Sequence, residues 1–283
     1  MTHLILQAPN LDSATIENLA ADLEADGVQY MGPTVVRLLN VDATRQAETG
    51  AFCESRRMDY AFLDAVARLA DCKILASDMD STLVNIECID EIADLAGKKA
   101  EIAAITEATM RGEIKDFSAS LRRRVSLLRG VPVSTLDRVY QERLRLNPGA
   151  QQLITGVKKH RVKVMLVSGG FTFFTQRLVE RLGLHSAHAN ELEIVDGALT
   201  GQILGPIVDG HAKAAFLQDL AQSEAAAPEQ IIAIGDGAND LPMLALAGYS
   251  VAYRAKPVVR GRARFALNVS PLDAVLNWFR RSH

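Results

Sequence analysis

From about residue 72 onward the chain alternates short, almost continuously apolar runs with longer stretches of helical periodicity. Lys73 to Ser77, Val162 to Val167, Ile231 to Ile234 and Ser250 to Tyr253 read as strands buried on both faces, and the segments between them read as amphipathic helices. This alternation predicts an α/β fold, a doubly wound parallel sheet of Rossmann-like type. Between the first two strands lies a long helical insertion, about 87–146, ended by Asn147-Pro148-Gly149. Glu191 to Val195, Asp196-Gly197 and Ala198 to Ile203 carry the signal of a hairpin with a type I′ turn. Upstream, His3 to Gln7 and Val35 to Leu39 read as strands, Ser13 to Leu23 as a helix capped by Ser13, and Tyr60 to Leu69 as a helix leading into the core. Residues 1–70 are therefore expected to form a small α+β N-terminal domain, and 71–283 a larger α/β domain carrying the insertion.

Polar residues with chemical potential follow three of the apolar runs. Asp78-Met79-Asp80-Ser81-Thr82 closes the first, placing two carboxylates at i and i+2 at the carboxyl end of a buried strand, where open α/β sheets bind ligands. Two acids converging there repel unless a cation or proton separates them, which suits a nucleophile beside a general acid; a solvated acidic turn is the alternative. Ser168-Gly169-Gly170-Phe171 closes the second run and offers a hydroxyl and backbone N–H groups to an anion, or is an ordinary strand-to-helix turn. Gly235-Asp236-Gly237-Ala238-Asn239-Asp240 closes the third. It opens like a dinucleotide-binding turn, but Asp240 stands where the third glycine belongs, and two acids there would repel a pyrophosphate and suit a magnesium ion. Lys213, early in an amphipathic stretch, has no independent weight, since a lone lysine is usually solvated.

The order DxDxT, SGG, Lys, GDGxND resembles the four motifs of the haloacid dehalogenase-like phosphatases, over roughly residues 72 to 283. Within that superfamily it resembles the phosphoserine phosphatases, on Asp78 to Thr82 followed by Glu87, on Met110-Arg111-Gly112 followed by Phe117, on Ser120-Leu121-Arg122-Arg123-Arg124-Val125, and on the Ser168 and Gly235 motifs. The resemblance implies a haloacid dehalogenase core whose insertion at about 87–146 is a helical cap. It implies a Mg²⁺-dependent phosphoric monoester hydrolase that cleaves O-phosphoserine, the last step of serine biosynthesis. Asp78 is then the nucleophile that forms an aspartyl-phosphate, and Asp80 the general acid and base. Magnesium is bound by Asp78, the backbone carbonyl of Asp80 and Asp236, with Asp240 behind them; Ser168, the amide of Gly169, Lys213 and Asn239 hold the phosphoryl oxygens. Glu87 and Arg124 match the family's residues for the substrate ammonium and carboxylate, with Met110 and Phe117 packing on the ligand. Read from the residues alone, the Arg122 to Arg124 run could be a solvated helix face and Met110 and Phe117 plain core. Other readings are another small-molecule phosphatase or phosphotransferase on the same scaffold, and a non-catalytic amino-acid sensor. In pattern, residues 1–70 resemble a diverged ACT-like regulatory module; a packing or homodimerisation extension is the alternative.

With 283 residues, 48% hydrophobic, 23% charged and a net charge of −3, the chain has no general basic field for nucleic acid or an anionic membrane. No segment is long and apolar enough to span a bilayer, and the N-terminal residues lack the pattern of a signal peptide, so a cytoplasmic protein acting on a small molecule is expected. Cys53, Cys72 and Cys88 form no CxxC pair and the six histidines no HxH or HxxxH set, which argues against zinc and a disulfide framework.

Overall fold

The structure, a computed structural model, describes residues 2–110 and 116–280, and of residues 109 and 110 the backbone alone. Its strands are β1 (His3–Gln7), β2 (Gly27–Gly32), β3 (Val35–Leu39), β4 (Asp59–Leu63), β5 (Ile74–Ser77), β6 (Lys163–Phe171), β7 (Ser186–Val195), β8 (Ala198–Leu204), β9 (Ile231–Gly235), β10 (Tyr249–Tyr253) and β11 (Phe265–Leu267). The principal helices are α1 (Ser13–Asp22), α2 (Gln46–Ser55), α3 (Cys88–Leu95), α4 (Lys99–Met110), α5 (Phe117–Ser126), α6 (Val133–Arg138), α7 (Ala150–Lys159), α8 (Thr172–Leu182) and α9 (Gly210–Ser223). A seven-stranded sheet has the order β11-β10-β9-β5-β6-β7-β8 and a four-stranded sheet the order β2-β3-β1-β4. Pairs β9–β10, β10–β11 and β6–β7 are parallel, and the β7–β8 hairpin is antiparallel. Its turn has positive φ at both Asp196 (51°) and Gly197 (75°), as a type I′ turn requires.

The chain divides into two compact units, Met1–Leu75 with Pro148–Lys163 and Ala226–His283, and Ala76–Asn147 with Val164–Ala225. In the first, β1-α1-β2-β3-α2-β4 is a ferredoxin-like βαββαβ arrangement around a core that includes Leu4, Leu6, Ile16, Leu19, Val36 and Leu38. Two expectations fail here. Tyr60 to Leu69 is not a helix, because Asp59–Leu63 pairs along its length with β1 and only Leu69–Asp71 forms a helical turn, of 3₁₀ type. The cap of α1 is Asp12 rather than Ser13: its carboxylate accepts from the Thr15 N–H at 2.9 Å.

Asp59 at the start of β4 is 2% exposed, and its carboxylate accepts from the backbone N–H groups of Asn268 (2.7 Å), Val269 (3.0 Å) and Ser270 (2.6 Å). A buried carboxylate that satisfies three amides ties the small sheet to the segment after β11. Asp59→Ala leaves those donors unmet, and urea unfolding should show a stability loss of about 3 kcal/mol or more. A midpoint unchanged from wild type would contradict the assignment.

The second unit contains α3 to α6, the helical insertion, together with β6 to β8, α8 and α9. Its entry and exit are stitched together: Val84 bridges Leu146, and buried Asn147 donates through Nδ2 to the carbonyls of Ser81 (3.2 Å), Thr82 (2.8 Å) and Val84 (3.0 Å). One asparagine thus closes the base of the insertion onto the turn that carries Asp80.

Candidate active site

The chain leaves β5 in extended conformation at Asp78 (φ −67°, ψ 161°) and then coils through residues 79–83. Inside that turn Ser81 adopts φ 56°, a left-handed conformation unusual for a residue with a Cβ, and its N–H donates to the Ile86 carbonyl at 3.1 Å. The sharp reversal carries both acids at the strand's end. Asp78 is buried, and its Oδ1 accepts from Lys213 Nζ at 2.5 Å. Lys213 is fully buried in the first turn of α9, whose N-cap Asp209 accepts from the Ala212 N–H. A lysine in that position requires an anion, so it is no solvated surface residue.

Asp80 differs from its neighbour. Burial pushes its carboxyl up to about 7, the Glu87 carboxylate adds to the rise, and the Cys88 hydrogen bonds and Lys213 oppose it. A carboxyl held half-protonated near neutrality can donate a proton, while one paired with a lysine stays a carboxylate. Packed against Asp80 is the Ser168-Gly169-Gly170 stretch: a Cβ on Gly170 would stand 2.5 Å from Asp80 Oδ2 and 3.0 Å from Ser168 Oγ. That is why glycine occupies position 170. Ser168 is fully buried and its Oγ accepts from the Gly170 N–H at 2.8 Å.

The insertion brings a second set of charges to the same carboxylates. The Ser81 hydroxyl donates to Glu87 Oε1 at 2.7 Å; burial raises the Glu87 carboxyl and Arg124 opposes the rise. On α5, Arg122 and Arg123 are exposed whereas Arg124 is half-buried, and burial holds its guanidinium below its ordinary value against the charges of Asp90, Glu87 and Asp80. Arg124 Nε is buried and has no hydrogen-bond partner among the described residues. The geometry therefore separates Arg124 from the solvated face. Half-buried Phe117, at the start of the same helix, lies where a Cβ on Gly169 would meet its ring at 3.0 Å. The Met110 side chain, Arg111 and Gly112 lie outside the described residues.

After β9, Asp240 is fully buried and its Oδ2 accepts from the N–H groups of Asp236 (3.1 Å) and Gly237 (3.0 Å), fixing a tight turn. Asn239 sits half-buried in that turn. Asp236 and Asp240 bring two carboxylates to this turn of the first unit, and Asp78 is a buried carboxylate of the second. An all-oxygen set suits a hard divalent cation, and it lacks the thiolate or imidazole that would favour a softer one.

A family model described as haloacid dehalogenase-like hydrolase matches residues 75–245. The chain belongs to this family. A second model, described as a domain of unknown function, matches residues 4–48. Among the relatives of this hydrolase, a phosphoserine phosphatase from Polaromonas sp. (strain JS666) is 55% identical over 213 residues, 74% of this chain and 90% of the other. A solved haloacid dehalogenase-family hydrolase from Salmonella enterica serovar Typhi covers 99% of each chain with a TM-score of 0.90 at 33% identity. A structure titled as a phospho-aspartyl intermediate analogue of phosphoserine phosphatase covers 74% of this chain and 99% of its own, with a TM-score of 0.68 at 38% identity. Among the described residues of the hydrolase, no helix is long and apolar enough to cross a membrane.

Two residues that build this site carried no signal in the sequence. Asn147 read only as part of a turn, and Asn190 was one polar residue ahead of a hairpin. Both act through side-chain amides on backbone far away in the chain. Half-buried Asp90 likewise carries no signal in the sequence: burial raises its carboxyl, and Arg124 works against the rise.

Proposed function

We propose that this hydrolase is a magnesium-dependent, cytoplasmic phosphoserine phosphatase that converts O-phosphoserine to serine and phosphate through an aspartyl-phosphate on Asp78, the reaction that ends serine biosynthesis. The observation that carries the substrate assignment is the buried Nε of Arg124, which has no hydrogen-bond partner among the described residues and lies near the charges of Glu87 and Asp80. A guanidinium with an unmet donor fits a carboxylate, and a neighbouring acid fits an ammonium, the two charges that phosphoserine carries beyond its ester. The name of the Polaromonas relative agrees with that chemistry. A non-catalytic sensor is not favoured, since Asp78, Asp80, Lys213, Asp236 and Asp240 are all present.

Asp78 attacks phosphorus while Lys213, already hydrogen-bonded to it, balances charge and orients the carboxylate. Ser168 and the Gly169 amide hold phosphoryl oxygens, with Asn239 contributing from the turn after β9. Asp80 donates a proton to the serine alkoxide as it leaves, then takes one from the water that opens the acyl phosphate. Asp78 and Asp236 would hold magnesium with the Asp80 carbonyl, and Asp240, occupied by two backbone amides, stands behind them. When bound, the ion supplies positive charge that lets these acids and a phosphate share one site. Phe117, against Gly169, would pack on the ligand, as would Met110. We also assign residues 1–70 to a small domain outside the chemistry and 71–283, with a cap at about 87–146, to the catalytic part.

Arg124→Ala should lower kcat/KM for phosphoserine by about 10- to 150-fold, the equivalent of about 1.5–3 kcal/mol for a charge-assisted contact. An aryl phosphate, lacking the carboxylate, should lose much less, and Glu87→Gln should give the same contrast through the ammonium. Equal losses on both esters would return the reading to a phosphatase that does not recognise an amino acid.

A further inference from the structure

The Ser168-Gly169-Gly170 stretch lies inside β6 and breaks its ladder. Val167 pairs with His188 and Phe171 with Asn190, so three residues of β6 stand opposite the single Ala189 of β7. A bulge of this size removes strand partners from its backbone groups, and an unmet buried carbonyl is costly. Asn190 supplies them. Its Nδ2 donates to the carbonyls of Gly169 (2.8 Å) and Gly170 (3.2 Å), its Oδ1 accepts from the Val208 N–H (2.8 Å), and the residue is 1% exposed.

Gripping two successive carbonyls sets two successive peptide planes. In a trans peptide the N–H points opposite the C=O, so with both carbonyls turned toward Asn190 the N–H of Gly170 is turned away, where it meets Ser168 Oγ. That bond engages an acceptor lone pair of the hydroxyl and leaves its proton to donate. The other end of the carboxamide holds Val208, next to Asp209, the N-cap of the helix that places Lys213 on Asp78. We infer that Asn190 is the positioning residue of the phosphoryl-binding stretch: its carboxamide replaces the ladder that the bulge breaks and locks Ser168, Gly169 and Gly170 to the start of the Lys213 helix. Asparagine is needed, since the site asks for two donors and an acceptor on one short side chain. Aspartate has the shape and the acceptor but turns an oxygen toward two carbonyls.

This role rests on the phosphoryl-transfer reading but not on which ester is the natural one, so the test uses an aryl phosphate as substrate and inorganic phosphate as the binding probe. Asn190→Asp and Asn190→Ala, assayed with magnesium below their melting temperatures, should lose about 10- to 100-fold in kcat on the aryl ester, the cost of misplacing a reacting group by a fraction of an ångström to about one. Phosphate affinity measured by titration should fall in parallel, and the loss on phosphoserine should equal that on the aryl ester. Asp59→Ala, destabilised away from the site, should keep wild-type kcat while folded, which separates positioning from lost stability. Should neither substitution fold, Asn190→Gln serves: it keeps the amide one methylene further out, should fold, and should still lose kcat. Wild-type kcat and phosphate affinity in a folded Asn190 variant would overturn the assignment. Wild-type protein that cleaves the aryl ester but not phosphoserine would overturn the substrate reading alone.

Discussion

Asp78→Asn should abolish turnover, with a loss of about 10⁴-fold or more, and should leave no phosphoenzyme to trap after acid quenching. The substitution is a clean probe because asparagine has nearly the same shape and its Oδ1 can still accept from Lys213 Nζ, so the fully buried ammonium keeps a hydrogen-bond acceptor. What it lacks is a nucleophilic oxygen: the amide is far weaker than a carboxylate toward phosphorus. Thermal melting should show a folded protein with some loss of stability, because a neutral amide offsets the lysine charge less well. Substantial activity in folded Asp78→Asn would exclude a covalent route through this residue.

Asp80→Asn should behave differently. Oδ1 of the asparagine can still take the Cys88 N–H, so the turn and the phosphate site should survive and substrate binding should change little. General acid catalysis of the serine ester should fall by about 10²–10⁴-fold. An aryl phosphate needs little help in expelling its leaving group, so its first step should be nearly normal, and the variant should release a burst of aryl alcohol before stalling. The stall follows because the same carboxyl must later deprotonate water. The raised value of about 7 for this carboxyl fits a group that serves first as acid and then as base. Equal slowing of the first step for both esters would remove Asp80 from the proton transfers.

What the sequence revealed and concealed follows from the range of the interactions. Asp78, Asp80, Ser168, Asp236 and Asp240 stand out in the sequence because each follows an apolar run, and the carboxyl end of a buried strand is where open α/β sheets bind ligands. Lys213 was legible only through family order; its burial against Asp78, 135 residues away, gives it meaning. The choice of Arg124 within its run also came from resemblance, and helix rotation explains it physically, since Arg122 and Arg123 face solvent while Arg124 turns inward. Asn147 and Asn190 were invisible because their partners are backbone groups, which leave no mark in a sequence.

In the small sheet, β4 has the sequence pattern of a helix for a related reason. Ala61, Phe62 and Leu63 are all buried and Tyr60 is half-buried, so no alternation distinguishes the segment from a helix. Its pairing with β1 decides the matter. β2 carries no strand signal of its own because Gly27–Gly32 is an edge strand with little burial, and Tyr30 is 51% exposed. Such a strand is specified by its neighbour β3 more than by its own pattern.

Phosphoserine phosphatase activity is tested most directly by phosphate release from a panel of O-phosphoserine, O-phosphothreonine, a glycerol phosphate and an aryl phosphate, each with magnesium and after chelation. Phosphoserine should show the highest kcat/KM, by about 10-fold or more over esters that lack its carboxylate and ammonium, and all turnover should be lost when the metal is removed. Equal or faster hydrolysis of an ester without those charges, or phosphoserine turnover that survives chelation, would contradict the assignment.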